Sequence, residues 1–406
     1  MAQRAVAEVN LAAIERNTAR LLTSLSPGTT LCAVVKADGY GHGAAPVAQA
    51  ALRAGATSLA VATAREAVTL RADLSATDAT AAITTSTAAT AAATTDAAAT
   101  ATDADVPLLI LGAVSNEELP LAIAADCALV VWDIQFVDRV AAAARAARTS
   151  VRMYVKLDTG LGRLGTRDPE QALRVARAVE AAPNLILAGA MTHFATADED
   201  DLDFAEQQLS RFEPFVRQMR ELAGPDCTVH ACNSAATLRL PQAHYDMVRT
   251  GIALYGADPM NIDPADHGLE PALALRSYVA AVKPAQPGES TGYGRHFIAR
   301  EPTIIATLPI GYGDGLPRRL ANNLEVLIGG RRHPLCGMVS MDNITVDLGP
   351  DTTVTVGQQA TIIGTDGNQR QTAEDVAHRL DTISYEVLCQ ISQRVPRVYH
   401  RDGAPV

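Results

Sequence analysis

The 406-residue sequence predicts a (β/α)8 barrel followed by a mainly-β domain, and three observations carry that expectation. Between Thr30 and about Gly256, short β-rich runs alternate with helical stretches. Several of these runs are nearly continuous apolar strings, as parallel strands buried on both faces require. After about Met260 long helices vanish, and short strands punctuated by Pro and Gly take over.

Taken in chain order, AVAEVN (5–10) is strand-like, and residues 1–10 are expected to pair with the second domain. The barrel is assigned to 11–258. Its strands are LCAVVK, SLAVAT, VPLLILG, ALVVWD, VRMYVKLD, LILAGAMTHF, TVHACN and YDMVRTGIALYG. Segments such as PEQALRVARAVEAAP and FAEQQLSRFEPFVRQMREL separate them with helical periodicity, whereas only a short helix fits after TVHACN. Eight alternations point to a barrel. An open doubly wound sheet would place a GxGxxG turn after its first strand, and KADGYGHG is not one. The stretch from Leu74 to Asp105 is almost wholly Ala, Thr, Ser and Asp. Threonines weaken the helical preference of its alanines, and it has little apolar area to bury, so a mobile surface insertion is expected. From 259 to 406 the strands SYVAAVKPAQ, TIIATLPIG, LEVLIGG, HPLCGMVSMDNITVDLG and TVTVGQQATIIG build the second domain. A final helix, TAEDVAHRLDTISYEVLCQIS, is expected to close it.

A net charge of −11 argues against a nucleic-acid groove, which needs concentrated basic surface. No apolar stretch reaches the roughly 20 residues of a membrane helix, and MAQRAVAEVN lacks a secretory pattern. The cysteines at 32, 127, 227, 232, 336 and 389 form no CxxC and no metal-like cluster. They read as reduced thiols of a cytoplasmic protein that holds no metal.

Lysine is the sharper signal. Of 34 basic residues only Lys36, Lys156 and Lys283 are lysines, so arginine serves wherever a generic positive charge suffices. An amine can lose its proton and attack a carbonyl; a guanidinium cannot. In a barrel, reacting groups come from the C-terminal strand ends. Those ends offer Lys36 and Tyr40, then Lys156, Asp158 and Arg163, then Thr192 and His193. Strand seven adds His230, Asn233 and Ser234, and strand eight Arg249 and Gly251. Glycines and a serine after the last two strands suit a phosphate. A strand-end lysine, a phosphate cradle and a nearby arginine together suggest pyridoxal 5′-phosphate. Taken singly, several of these residues have ordinary readings. Lys156 reads on spacing alone as half of an ion pair with Asp158, His193 and His230 as packing residues, Lys283 as surface, and Tyr293 as the cover of a turn.

Nine stretches in register resemble the motifs of the alanine racemase family. They are AVVKADGYGHG, KLDTGLGRLG, MTHFATADE, HACNSAATL, DMVRTGIALYG, PGESTGYG, LPIGYGDGLPR, CGMVSMDN and TISYEVLCQISQRVPRVY. The resemblance implies a cytoplasmic homodimer with shared active sites, which interconverts L- and D-alanine with pyridoxal phosphate and supplies D-alanine for peptidoglycan. Lys36 matches the lysine that carries the cofactor. Tyr40, Ser234, Gly251, Ile252 and Tyr385 match phosphate contacts, with Asn233 beside them. Arg249 matches the arginine facing the pyridine nitrogen, and His193 and His230 its supports. Arg163 matches the substrate-carboxylate arginine and Lys156 a carbamylated lysine that orients it. Tyr293 matches the second base, while Tyr312, Met341 and Asp342 match groups lining the partner's substrate site. Leu161, Gly292 and Ser340 depart from the commoner Met, Ser and Cys, which bears on pocket size. A broader amino-acid racemase, a decarboxylase and a non-catalytic cofactor-binding protein on the same barrel are the rival readings.

Overall fold

The computed structural model describes residues 4–88 and 103–406. The chain divides into two units, one of Thr18–Gly39 and Ala44–Leu254, the other of Met1–Asn17, Tyr40–Gly43 and Tyr255–Val406.

The second unit contains the N-terminal strand β1 (Ala5–Asn10). The first unit is a barrel of eight parallel strands: β2 (Thr30–Val34), β3 (Ser58–Val61), β4 (Leu108–Ile110), β5 (Cys127–Val131), β6 (Val151–Lys156), β7 (Leu185–Met191), β8 (Thr228–His230) and β9 (Met247–Thr250). They pair in the order β8-β7-β6-β5-β4-β3-β2-β9. Backbone bonds from Asp246 N to Val229 O (3.1 Å) and from Arg249 N to Cys232 O (3.0 Å) draw β8 and β9 together at the seam. β4, β5 and β9 are buried along their whole length, so their apolar runs need no polar alternation. Register sets the site. Lys156 pairs with Met191 and Met191 with His230, so the ends of β6, β7 and β8 stand at matching heights, while Arg249, one residue before the end of β9, pairs with Cys32.

Helices fill the connections and start where capping residues stand. Asp133 accepts from the Gln135 and Phe136 amides at the start of Ile134–Ala147, and Asp168, followed by Pro169, caps Pro169–Ala181. Two expectations need correction here. The first strand ends at Val34 and not at Lys36. The Ala/Thr-rich stretch does not begin as a loop, because the helix Ala64–Ala88 runs through its first part. Buried Ala67, Leu70 and Leu74 anchor that helix, and alanine propensity continues it. Of the rest of the expected insertion, 89–102 lies outside the described residues and Asp103–Asp105 form a short 3-10 turn.

In the second unit follow β10 (Leu273–Tyr278), β11 (Ala281–Ala285), β12 (Ser290–Thr291), β13 (Phe297–Ile298), β14 (Thr303–Leu308), β15 (Glu325–Ile328), β16 (Arg331–Pro334), β17 (Ile344–Asp347), β18 (Gln359–Asp366), β19 (Gln369–Gln371), β20 (Arg397–Arg401) and β21 (Ala404–Pro405). β1 lies inside the large sheet, antiparallel to β10 and parallel to β20, with one face of its alternating side chains buried. The expected closing helix is two helices, Ala373–Leu380 and Ser384–Cys389. Asp381 breaks it in the left-handed region at φ 57°, where its amide closes onto Ala377 O and His378 O. The chain then continues into β20 and β21, and TVTV forms no strand.

Candidate active site

Lys36 opens a left-handed turn at the barrel mouth. Ala37, Asp38 and Gly39 have φ of 52°, 51° and 61°, and Tyr40 follows at 51°. For L-residues this conformation costs about 1–2 kcal/mol each, so the surroundings must hold it. The Gly39 amide closes the turn on Val35 O at 2.9 Å, and the Asp38 carboxylate caps the Ala44 amide at 2.9 Å.

Arg249, at the end of β9, is buried and donates to four acceptors. They are His230 Nδ1 (2.7 Å), His193 Nδ1 (3.1 Å), Thr192 O and Ala231 O (both 3.0 Å). Burial lowers its pKa to about 10, which leaves it charged at neutral pH. Both histidines are pushed well below 6.5, by burial first and the Arg249 charge second. They are therefore neutral Nδ1 acceptors. The charges of Lys156, Arg163 and Lys36 also bear on His193 and lower its pKa further.

Lys156 is buried, and its amine is lowered to about 8 by burial, Arg249 and Arg163. The ion pair expected with Asp158 is absent. Asp158 is instead held by the Gly160 and Gly162 amides and by Arg167 Nε at 3.2 Å. Burial opposes its ionisation, but these donors outweigh burial and keep its pKa low. Among the described residues no carboxylate lies within ion-pairing distance of Lys156, Arg163 or Arg249. The donor set is a cationic excess, with Lys156 and Arg249 buried, Lys36 half-buried and Arg163 exposed, which suits an anionic, aldehyde-bearing cofactor and a carboxylate substrate.

After β8, Asn233 caps the short helix Ser234–Arg239 through its side-chain oxygen (Ala236 N, 2.9 Å). Buried Ser234 Oγ accepts from Gly251 N (2.9 Å) and Ala253 N (3.4 Å), so the turns after β8 and β9, including Ile252, are tied together. The sequence reading missed Gln208. This buried carboxamide receives the Ala195 amide (2.8 Å) and donates to Thr159 Oγ1 and His193 O (both 3.1 Å), bracing the loops after β6 and β7. A glutamine on the apolar face of FAEQQLSRF was the available signal.

The second unit carries its own clusters. The Tyr40 ring lies 4.9 Å from that of Tyr255 and 6.2 Å from that of Tyr385, and burial raises the Tyr40 pKa, keeping its hydroxyl a donor. Gly41 has φ 82°, and a Cβ there would meet Leu388 O at 2.5 Å, so only glycine lets the chain pass. Tyr293 sits at the tip of the β12–β13 hairpin and is 73% exposed. Tyr312 and Met341 are also exposed. Their loops are joined by Tyr312 N to Ser340 O (3.0 Å) and Gly313 N to Met341 O (2.9 Å). Asp342 is fixed by Arg394 (2.7 Å), which with Arg4 also holds buried Asp314.

Models of the two domains of one enzyme family match almost the whole chain: "Alanine racemase, N-terminal domain" at residues 9–259 and "Alanine racemase, C-terminal domain" at 272–399. The chain belongs to the alanine racemase family. The racemase of Geobacillus kaustophilus is 38% identical over 97% of this chain and 94% of its own length. That of Symbiobacterium thermophilum is 37% identical over 98% and 97%. The solved alanine racemase of D-cycloserine-producing Streptomyces lavendulae is 36% identical, with a TM-score of 0.85 over 98% of both chains. A Bacillus anthracis racemase structure with bound L-Ala-P is 34% identical at the same TM-score, covering 100% of this chain and 97% of that one. Racemisation of alanine is the activity that goes with this membership, and neither decarboxylation nor non-catalytic cofactor binding is favoured beside it. Among the described residues, no helix of this racemase is long and apolar enough to cross a membrane.

Proposed function

We propose that this racemase inverts alanine with pyridoxal 5′-phosphate held at the barrel mouth and with two bases on opposite faces of the α-carbon. The carrying observation is that two buried cations, Lys156 and Arg249, have no carboxylate partner among the described residues, while the charge of exposed Arg163 also bears on Lys156. Buried like charges are costly unless anions join them. When bound, the cofactor withdraws electrons from the substrate α-carbon and acidifies its proton.

Lys36 would hold the cofactor covalently, and its amine, when free, would move a proton at its own nitrogen on one face. Tyr293 of the partner subunit accepts or returns a proton at its phenolic oxygen on the other. Arg163 binds the substrate carboxylate, oriented by Lys156 as a carbamate. Arg249 stays protonated and would donate to the cofactor's pyridine nitrogen, where a group that does not give up its proton would disfavour transamination. His193 and His230 hold Arg249 in place. Ser234, the amides of Gly251 and Ile252, and the Tyr40 and Tyr385 hydroxyls take the phosphate, and Asn233 keeps the Ser234 turn in shape. Tyr312, Met341 and Asp342 of the partner subunit line the substrate site. Exposure of Tyr293, Tyr312 and Met341 supports a homodimer, since aromatic residues and Met are enriched in interface cores. The enzyme then works in the cytoplasm and supplies D-alanine for peptidoglycan.

Borohydride reduction of cofactor-loaded enzyme should leave a pyridoxyl adduct on Lys36; an adduct elsewhere, or none, overturns the assignment. Enantiomers have equal free energy, so kcat/KM must fall equally in both directions when a base is lost. Tyr293→Phe is therefore read by deuterium exchange. One enantiomer should still exchange its α-proton with retention through Lys36, while the other exchanges far more slowly. Equal loss with both would count against bases on two faces.

A further inference from the structure

The left-handed turn at Lys36 needs an external tether, and the structure supplies one from a residue that the proposed mechanism does not use. Glu66 stands in the first turn of the helix Ala64–Ala88. Its Oε2 accepts the Ala62 and Thr63 amides at 2.8 and 3.1 Å, and its own amide donates to Thr63 Oγ1 at 3.2 Å. That reciprocal pair is a capping box, the ordinary role of a glutamate three residues after a threonine. The box leaves Oε1 unexplained. This atom accepts the amide of Ala37, the residue directly after Lys36, at 2.8 Å.

One carboxylate thus joins the mouth ends of neighbouring strands. Ala62 and Thr63 follow β3, while Ala37 belongs to the turn after β2, and Val35 N to Ala60 O at 2.8 Å ties the same two ends. Ala37 is a non-glycine residue at φ 52°, a conformation that persists only where its surroundings over-determine it. Within the turn itself, Asp38 and Gly39 already use their bonds to Ala44 and Val35. The Ala37 amide depends on Glu66.

We infer that Glu66 is the positioning residue for Lys36. Through the Ala37 amide its carboxylate fixes the direction in which the lysine leaves the left-handed turn. This rests on the reading of Lys36 as the cofactor-bearing lysine and proton carrier. A glutamine cannot replace the glutamate, because one of its two terminal atoms is a donor. Its one oxygen is favoured on the side of two donors, Ala62 N–H and Thr63 N–H, which turns the amide nitrogen onto Ala37 N–H and breaks that bond.

The test compares Glu66→Gln with Thr63→Ala, which breaks the box but leaves Oε1 on Ala37. In cofactor-free protein, hydrogen exchange at the Ala37 amide should accelerate about tenfold or more in Glu66→Gln and stay unchanged in Thr63→Ala. In loaded enzyme, misplacing the lysine should lower kcat about 10- to 100-fold in Glu66→Gln, with KM for alanine nearly unchanged. Thr63→Ala should lower Tm while keeping kcat within about twofold. The inference is overturned if Ala37 exchange does not respond to Glu66→Gln. It is also overturned if both variants lose kcat in proportion to their loss of Tm. Borohydride trapping on the parent enzyme keeps the two readings apart. An adduct on Lys36 with an unresponsive Glu66→Gln sinks only the Glu66 role, whereas an adduct elsewhere sinks the lysine assignment.

Discussion

An ordinary lysine with a pKa of 10.5 is neutral about one part in a thousand at pH 7.5. Burial, Arg249 and Arg163 bring Lys156 to about 8, which raises the neutral share to about a quarter, a gain of more than two orders of magnitude. Only the neutral amine attacks CO2, forming a new N–C bond and releasing one proton. The product is an anion, so the repulsion that Lys156 felt from the two arginines becomes attraction. Equilibrating the enzyme with 13C-labelled CO2 at constant pressure should give a carbamate carbon resonance that grows as pH rises through about 8. The signal should be missing in Lys156→Met. Lys156→Ala should lose turnover about 10- to 100-fold as Arg163 loses its orienting anion, and added acetate should restore part of it. No Lys156-dependent resonance between pH 7 and 9, or one seen only above pH 10, would show that burial does not prepare this amine for CO2.

His193 and His230 stay neutral in the folded chain, while the unfolded chain binds protons below about pH 6.5. Stability of the cofactor-free protein should therefore be lost as pH falls below that value, by up to about 1.4 kcal/mol per pH unit for each histidine, with no slope from them above pH 7. Urea midpoints at pH 7.5, 6.5 and 5.5 check this, and the double variant His193→Asn/His230→Asn should flatten the slope. Arg4→Ala removes the two-pronged partner of buried Asp314 and leaves Arg394 at 3.3 Å. It should cost about 3 kcal/mol, read by thermal unfolding, and raise KM for alanine because Asp342 shares the network. In Gly311→Ala the new Cβ would lie 2.3 Å from Ser340 O and 2.6 Å from Met341 C. The backbone carrying Tyr312 must shift, so kcat should fall more steeply than Tm, and the reverse order would argue that this loop is only structural.

Much of this enzyme was legible without coordinates. Eight apolar runs with helices between them announce a barrel, because strand burial and helical period are properties of contiguous residues. Lysine scarcity singles out Lys36 and Lys156 because an amine's chemistry belongs to the residue itself. What tertiary structure alone decided involves residues far apart in the chain. Lys36 opens a left-handed turn two residues beyond its strand, and Glu66, 30 positions later in the chain, holds that turn. Asp158 looked like the partner of Lys156 by spacing, yet loop amides and Arg167 claim it, and the lysine amine is left to two arginines. The closing helix broke at Asp381, and β1 entered a sheet between β10 and β20. Desolvation and superposed charge depend on which strand ends register closure brings together. No local stretch of sequence contains that information.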